Sequence, residues 1–309
     1  MSEDRITRRE FMKRAVVLGV AAYGLSGRDG LLDSESLAEA AGKPTIVVSG
    51  KSHDPAALVR AAIEALGGMS KFVKKGNVVV VKPNVGWNRK PEHAANTNPQ
   101  VVAEIVRLCK QAGAREVKVL DHPVDQPESA VMRASGIAEA AEKAGARVLP
   151  ASSRAMYGSL RLRRGKVLRS ADVLKDITRA DVFINLPIAK VHGATGVTLG
   201  CKNLMGAVWD RGAWHDSASL DQCIADFANE VRPDLIVLDA VRVLLTNGPK
   251  GPGRTKDLFT VVAGTDAVAV DAYGATLLSR KPEQIGHLRL AAEMGIGEID
   301  LKRVTIKHV

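Results

Sequence analysis

Residues 78–84 read Val78-Val79-Val80-Val81-Lys82-Pro83-Asn84. Four consecutive β-branched residues with no polar alternation describe a strand covered on both faces, as in a parallel sheet flanked by helices. The proline then stops the ladder and leaves a lysine and an asparagine at the strand's carboxyl end. Working outward, the same grammar repeats. Upstream, the β-branched run at 45–48 is followed by Asp54-Pro55, a helical pattern through Leu58, Ala62, Ile63 and Leu66, and a Gly67-Gly68 stop. Downstream, Asn98-Pro99 opens a helix over 101–112, Gly113 closes it, and a strand at 117–120 ends on Asp121-His122-Pro123.

A helix is expected over 128–143 and a strand over 146–149. A hairpin is expected over 159–168, turning at Arg164-Gly165. Buried strands are expected at 181–186 and 234–238, a helix at 266–278 and a last strand at 304–306. The fold class is therefore α/β: a three-layer sandwich with a largely parallel sheet and a small antiparallel addition. Residues 42–309 read as one domain, since no internal repeat or long linker divides them.

In such sheets ligands collect outside the carboxyl ends of the strands. Three strands end in chemically capable residues: Lys82 and Asn84, then Asp121 and His122, then Asn185, Lys190 and His192. Lysine holds carboxylate or phosphate, asparagine fixes orientation, and aspartate or histidine moves a proton. Asp121 and His192 are the candidate catalytic pair. Lys82, Asn84, Asn185, Lys190, Lys202, Asn203, Gly248 and Asp266 are the candidate ligand-binding set. Lys82, Lys190 and Lys202 are expected to converge on one small anionic ligand. The turn Leu199-Gly200-Cys201-Lys202-Asn203 offers backbone N–H groups to an anion, and the Gly/Pro-rich loop at 246–253 allows close backbone approach. A divalent metal on Asp121, His192 or Asp239 is chemically permitted. Each residue also has a plainer structural reading, as a cap, a turn former or a satisfied loop side chain.

The sequence lacks GxxxxGK[ST], a GxGxxG after a strand and a GxSxG. Three cysteines, Cys109, Cys201 and Cys223, form no complete iron–sulfur motif, though a Cys201–Cys223 disulfide is compatible with an oxidising compartment. The net charge of +10 is spread along the chain, and with three Trp, three Tyr and five Phe there is little for base stacking, so no nucleic-acid partner is expected.

The residues Lys82-Pro83-Asn84, Asn98-Pro99, Ala189-Lys190-Val191-His192, the stretch 200–206, Asn247-Gly248-Pro249 and the stretch 264–271 occur in an order that resembles the family called domain of unknown function 362. The resemblance spans 45–278. It implies an α/β domain with a shared polar site and no assigned general activity. Some members carry a ferredoxin-like cluster module beyond this domain; no such motif stands in these 309 residues.

Three functions fit this reading: an enzyme acting on a small anionic metabolite or phosphate-bearing cofactor, a redox or metal-cofactor accessory protein, and a non-catalytic anion-binding protein.

The N-terminus carries an address. Thr7-Arg8-Arg9-Glu10-Phe11-Met12-Lys13 precedes an apolar run at 15–25, and Ala38-Glu39-Ala40 has the small-x-small form of a cleavage site. The apolar run would rise only about 16 Å as a helix, about half a hydrocarbon core, so no permanent membrane span is expected. Residues 1–41 read as a twin-arginine signal and leader, the translocase as a partner, and the periplasm or another extracytoplasmic space as the destination. Replacing Arg8 and Arg9 by lysine is expected to leave the precursor in the cytoplasm, as measured by compartment fractionation; unchanged export would remove this assignment.

Overall fold

The computed structural model describes residues 43–215 and 219–309. The arginine pair, the 1–41 leader and the Ala40 site lie outside the described residues. Residues 44–309 cluster as one compact unit.

In chain order, β1 (Thr45–Ser49) leads to α1 (Pro55–Ala65), β2 (Val78–Pro83), α2 (Pro99–Gln111) and β3 (Glu116–Asp121). Next come α3 (Glu128–Ala134), α4 (Ile137–Lys143), β4 (Arg147–Pro150), β5 (Tyr157–Arg161), β6 (Ser170–Leu174) and α5 (Lys175–Arg179). The site region follows as β7 (Val182–Leu186), β8 (Ile188–His192), β9 (Gly196–Thr198), α6 (Gly200–Asn203), α7 (Gly212–His215) and α8 (Leu220–Glu230). The chain closes through β10 (Leu235–Leu244), β11 (Thr255–Gly264), α9 (Ala267–Leu277), α10 (Gly286–Glu293) and β12 (Thr305–His308).

The main sheet has the order β12-β1-β11-β10-β7-β2-β3-β4, with β8 and β9 attached beside β10. Its half containing β10, β7, β2, β3 and β4 is parallel throughout. Antiparallel β11 joins β10 to β1, while β5 and β6 form the separate antiparallel pair. Two apolar cores lie on opposite faces: Val79 and Val81 enter one with residues of α1 and α2, and Val80 enters the other with residues of α8 and α9. The unalternated run at 78–81 is thus buried on both sides, and the three-layer α/β sandwich is the observed architecture.

The caps read from sequence form as expected. Asp54 accepts from the N–H groups of Ala56 and Ala57, Asn98 accepts from Gln100, and Asp266 accepts from Ala269.

Several boundaries differ from expectation. The helix over 128–143 is broken at Ser135-Gly136, where Gly136 takes φ 73° and Ser135 Oγ bonds back to Met132 O. The expected tight turn at Arg164-Gly165 is instead a longer connection between β5 and β6. Leu162 is buried in the core, and Asp226 of α8 accepts from the N–H groups of Val167 and Leu168, so that segment is tied to a helix rather than to a partner strand. β11 was hidden because its first half, Thr255-Lys256-Asp257, lies at a partly exposed end of the ladder. Cys201 and Cys223 are buried and not joined in a disulfide.

Helix α9 sits very close to the sheet. A Cβ added at Gly274 would stand 2.6 Å from Leu238 Cδ2 and 2.9 Å from Leu199 Cδ2. Alanine is the better helix former by about 1 kcal/mol, but overpacking of this kind costs about 1–3 kcal/mol. Gly274→Ala is therefore expected to lower unfolding stability by roughly 1 kcal/mol in urea titration; a stabilised variant would contradict the close seating of α9.

Candidate functional site

Two buried ammonium groups set the direction of every hydrogen bond around them. Lys82 extends from the end of β2 with no exposed surface, and its Nζ meets three acceptors: Asp121 Oδ1 at 2.8 Å, Pro83 O at 3.0 Å and Asn203 Oδ1 at 3.1 Å. An ammonium has three protons and no lone pair, so this set is complete. Lys190 of β8 donates to Asn84 Oδ1 at 2.9 Å and to Ala95 O, leaving its third proton without an acceptor among the described residues.

Protonated Lys190 only donates, so Asn84 turns its oxygen to it, and Asn84 Nδ2 then donates to Asn203 Oδ1 at 2.8 Å. Asn203 in turn donates to Asn185 Oδ1 at 2.8 Å, and Asn185 donates to Gly200 O at 2.9 Å. Lys82, Asn84, Asp121, Asn185, Lys190 and Asn203 thus form one buried network, as their strand-end positions predicted.

Asp121 is fully engaged. Besides Lys82 it accepts from the N–H groups of Val85 and His122. Its carboxylate holds the β2 and β3 ends together. A Cβ on Gly206 would lie 2.1 Å from Asp121 Oδ1 and 2.7 Å from Lys82 Nζ, so the turn at Gly206 covers the pair with bare backbone.

The anion expected at the Gly200-Cys201 turn is internal. Asp271 of α9 accepts from Gly200 N at 2.6 Å and Cys201 N at 2.8 Å, and burial raises its pKa to about 6. Asp266 likewise accepts from Ala269 N and Glu298 N, as the cap of α9. Asp239 accepts from Asn98 N and Val241 N, and burial raises its pKa to about 6. Asp121, His192 and Asp239 do not assemble as metal ligands; among the described residues no group of three His, Cys, Asp or Glu side chains is placed to hold an ion. Gly248 packs on β8, where an added Cβ would stand 1.9 Å from Val191 O, so the position admits only a bare backbone.

What the network leaves open lies beside it. Strand alternation puts Lys190 and His192 on one face of β8, and the register Lys190↔Thr198 puts Thr198 on that face too. Thr198 Oγ1 is buried and, among the described residues, has no hydrogen-bond partner. Lys202 is 8% exposed, and among the described residues its Nζ has no hydrogen-bond acceptor.

Burial, then Arg211 and Lys82, push Lys202 down to about 8, while Asp221 pulls it upward. Burial, then Lys202 and Lys82, push Lys190 down to about 7, with Asp121 opposing. His192 is pushed down to about 3 by burial, then by Lys202 and Lys190, so its ring is neutral at pH 7. Its Nδ1 faces the N–H of Ala194 at 3.1 Å and therefore accepts, which places the ring proton on Nε2. In this neutral form His192 offers its Nε2–H as a donor.

Thr198 carries no sequence signal beyond standing two residues before Gly200 in the glycine turn, and Asp271 is hidden as the last residue of the quoted stretch 264–271. His122 lies away from this face, stacked on Trp209 at 5.4 Å with Nδ1 on Val208 O.

A curated relative, the thylakoid-associated protein sll1697 of Synechocystis sp., is 29% identical over 253 residues, covering 78% of this chain and 75% of its own. Among solved structures, the lactate racemase apoprotein of Thermoanaerobacterium thermosaccharolyticum superposes with a TM-score of 0.45 and 14% identity, covering 80% of this chain and 56% of that one. A structural-genomics protein from Thermotoga maritima gives a TM-score of 0.42 and 11% identity, covering 78% and 60%. This chain therefore spans less than two thirds of either solved chain. The family model described as Domain of unknown function (DUF362) matches residues 79–276, from the buried strand β2 to the end of α9, and the chain belongs to that family.

Proposed function

We propose that this chain is an exported enzyme that takes a small anionic metabolite, or the phosphate of a cofactor, at the face shared by Lys190, His192, Thr198 and Lys202. The observation that carries this reading is a largely buried lysine, Lys202, whose Nζ has no acceptor among the described residues, beside the buried, unpartnered Thr198 Oγ1. A buried unsatisfied donor costs about 1–3 kcal/mol, more when charged, and an anionic oxygen placed among these groups would relieve that cost.

The same donors suit catalysis by charge stabilisation. Lys202 and the third proton of Lys190 would neutralise the anion, while Thr198 Oγ–H and His192 Nε2–H would orient it, all held in place before the ligand arrives. The asparagine chain and the Lys82–Asp121 pair serve as the rigid support. A non-catalytic binding protein would use the same donors, and it differs only in that the bound anion is recovered unchanged.

Lys202→Met keeps the aliphatic stem and deletes the charge. It is expected to weaken binding of phosphate, sulfate, acetate or glycolate at least about tenfold by calorimetry, the size of one charge-assisted hydrogen bond of about 1.5–3 kcal/mol. Equal affinity in the variant would contradict the site.

The pH dependence has a definite sign. Lys202 must be protonated to hold the anion, and its pKa in the free site is about 8. Affinity should therefore fall as pH rises through about 7 to 8, as Lys190 and then Lys202 lose their protons, and binding in this range should take up protons, seen as a buffer-dependent heat. Affinity that rises across this window would contradict the role of Lys202.

A further inference from the structure

His287, at the start of α10, is completely buried, and its Nε2 has no hydrogen-bond partner. Its Nδ1 lies 3.2 Å from Asp221 Oδ1 of α8. A carboxylate accepts and never donates when ionised, so Nδ1 carries the proton, and in the neutral ring Nε2 is left as an acceptor. A Cβ added at Gly286 would stand 2.2 Å from Asp221 Oδ2, so a larger residue there would have to displace the carboxylate from His287.

This dyad borders the proposed anion site. Helix α6, which carries Lys202, packs against both α8 and α10. Asp221 lies near enough to Lys202 to act on its charge, and His287 near enough to His192 to act on that ring. Donors at Lys202, Thr198 and His192 thus lie on or beside α6, and the helix packed against α6 carries an acceptor without a partner, His287 Nε2.

Resting on the anion-site reading, we infer that His287, oriented by Asp221, accepts a hydrogen bond from the ligand, so that the site selects small anions carrying their own O–H over anions that carry none. Hydrogen phosphate and hydroxycarboxylates share this chemistry; sulfate and simple carboxylates lack it. An anion with only acceptor oxygens would face the Nε2 lone pair and leave it buried and unpaired.

Calorimetry on the full-length chain separates the cases. At about pH 8, where phosphate and sulfate are both largely dianions, phosphate is expected to bind at least about tenfold more tightly, and glycolate similarly more tightly than acetate. A preference confined to the phosphate pair points to a phosphate-bearing ligand, and one confined to the glycolate pair to a hydroxycarboxylate; either supports the inference.

His287→Phe should abolish the preference while anions still bind through Lys202. Asp221→Asn should do the same without altering the buried ring, because the amide can donate to Nδ1 and move the ring proton to Nε2. Should His287→Phe fail to fold, the Asp221→Asn titration and the ¹⁵N shifts of His287 in the unmodified protein decide the matter. A shift of Nε2 on adding phosphate but not sulfate supports the acceptor role, and identical shifts overturn it. Equal binding of all four anions in the unmodified protein overturns this inference and leaves the anion site standing, whereas binding of none overturns both.

Discussion

The Lys82–Asp121 ion pair is the constraint on which the site depends. Both side chains are withdrawn from water, at 0% and 3% exposure. Burying such a pair brings little net stability, yet removing one partner typically costs about 3–5 kcal/mol because the other charge is stranded. The pair therefore acts less as a source of stability than as a fixed reference. It joins the ends of neighbouring parallel strands, and Gly206 lies over it where no side chain would fit. From Lys82 and Lys190 together, the donor and acceptor sense of Asn84, Asn203 and Asn185 follows without choice. A chain of asparagines directed by two ammonium groups is rigid, and rigidity is what a preorganised anion site requires.

Burial divides the lysines by function. Lys82 has three acceptors and is complete. Lys190 has two, and Lys202 has none among the described residues. Three lysines of similar depth thus grade from structural to available, and burial first, then neighbouring positive charge, lowers the pKa of Lys190 and Lys202. An anion arriving there meets groups already stripped of water. Its interaction with them is stronger than at a solvated surface because the local dielectric is low.

Much of this was legible in the sequence, for identifiable reasons. The run at 78–81 announced a two-faced strand, and the Asp54-Pro55 and Asn98-Pro99 pairs marked helix starts, because these signals are local. The convergence of Lys82, Asn84, Asp121, Asn185 and Lys190 followed from topology, since parallel strands deliver their carboxyl ends to one edge. Individual roles were not legible, because they turn on which groups are already satisfied. Asp121 and Asp239 look like catalytic or metal-binding carboxylates until their backbone N–H partners are seen. Asp266 and Asp271 look alike in the stretch 264–271, yet one caps its own helix and the other holds the turn at Gly200. His287 and Asp221 are 66 residues apart and lie in no motif, so only the packing of α10 on α8 brings them together.

The central claim is that the face shared by Lys190, Thr198 and Lys202 receives an anion. It is tested most directly by anomalous diffraction from crystals of the chain grown with arsenate, an analogue of phosphate that scatters strongly. The account predicts an arsenic peak within hydrogen-bond distance of Lys202 Nζ and Thr198 Oγ1. Arsenic only at the outer surface, with the lysine face closed by protein side chains, would contradict it.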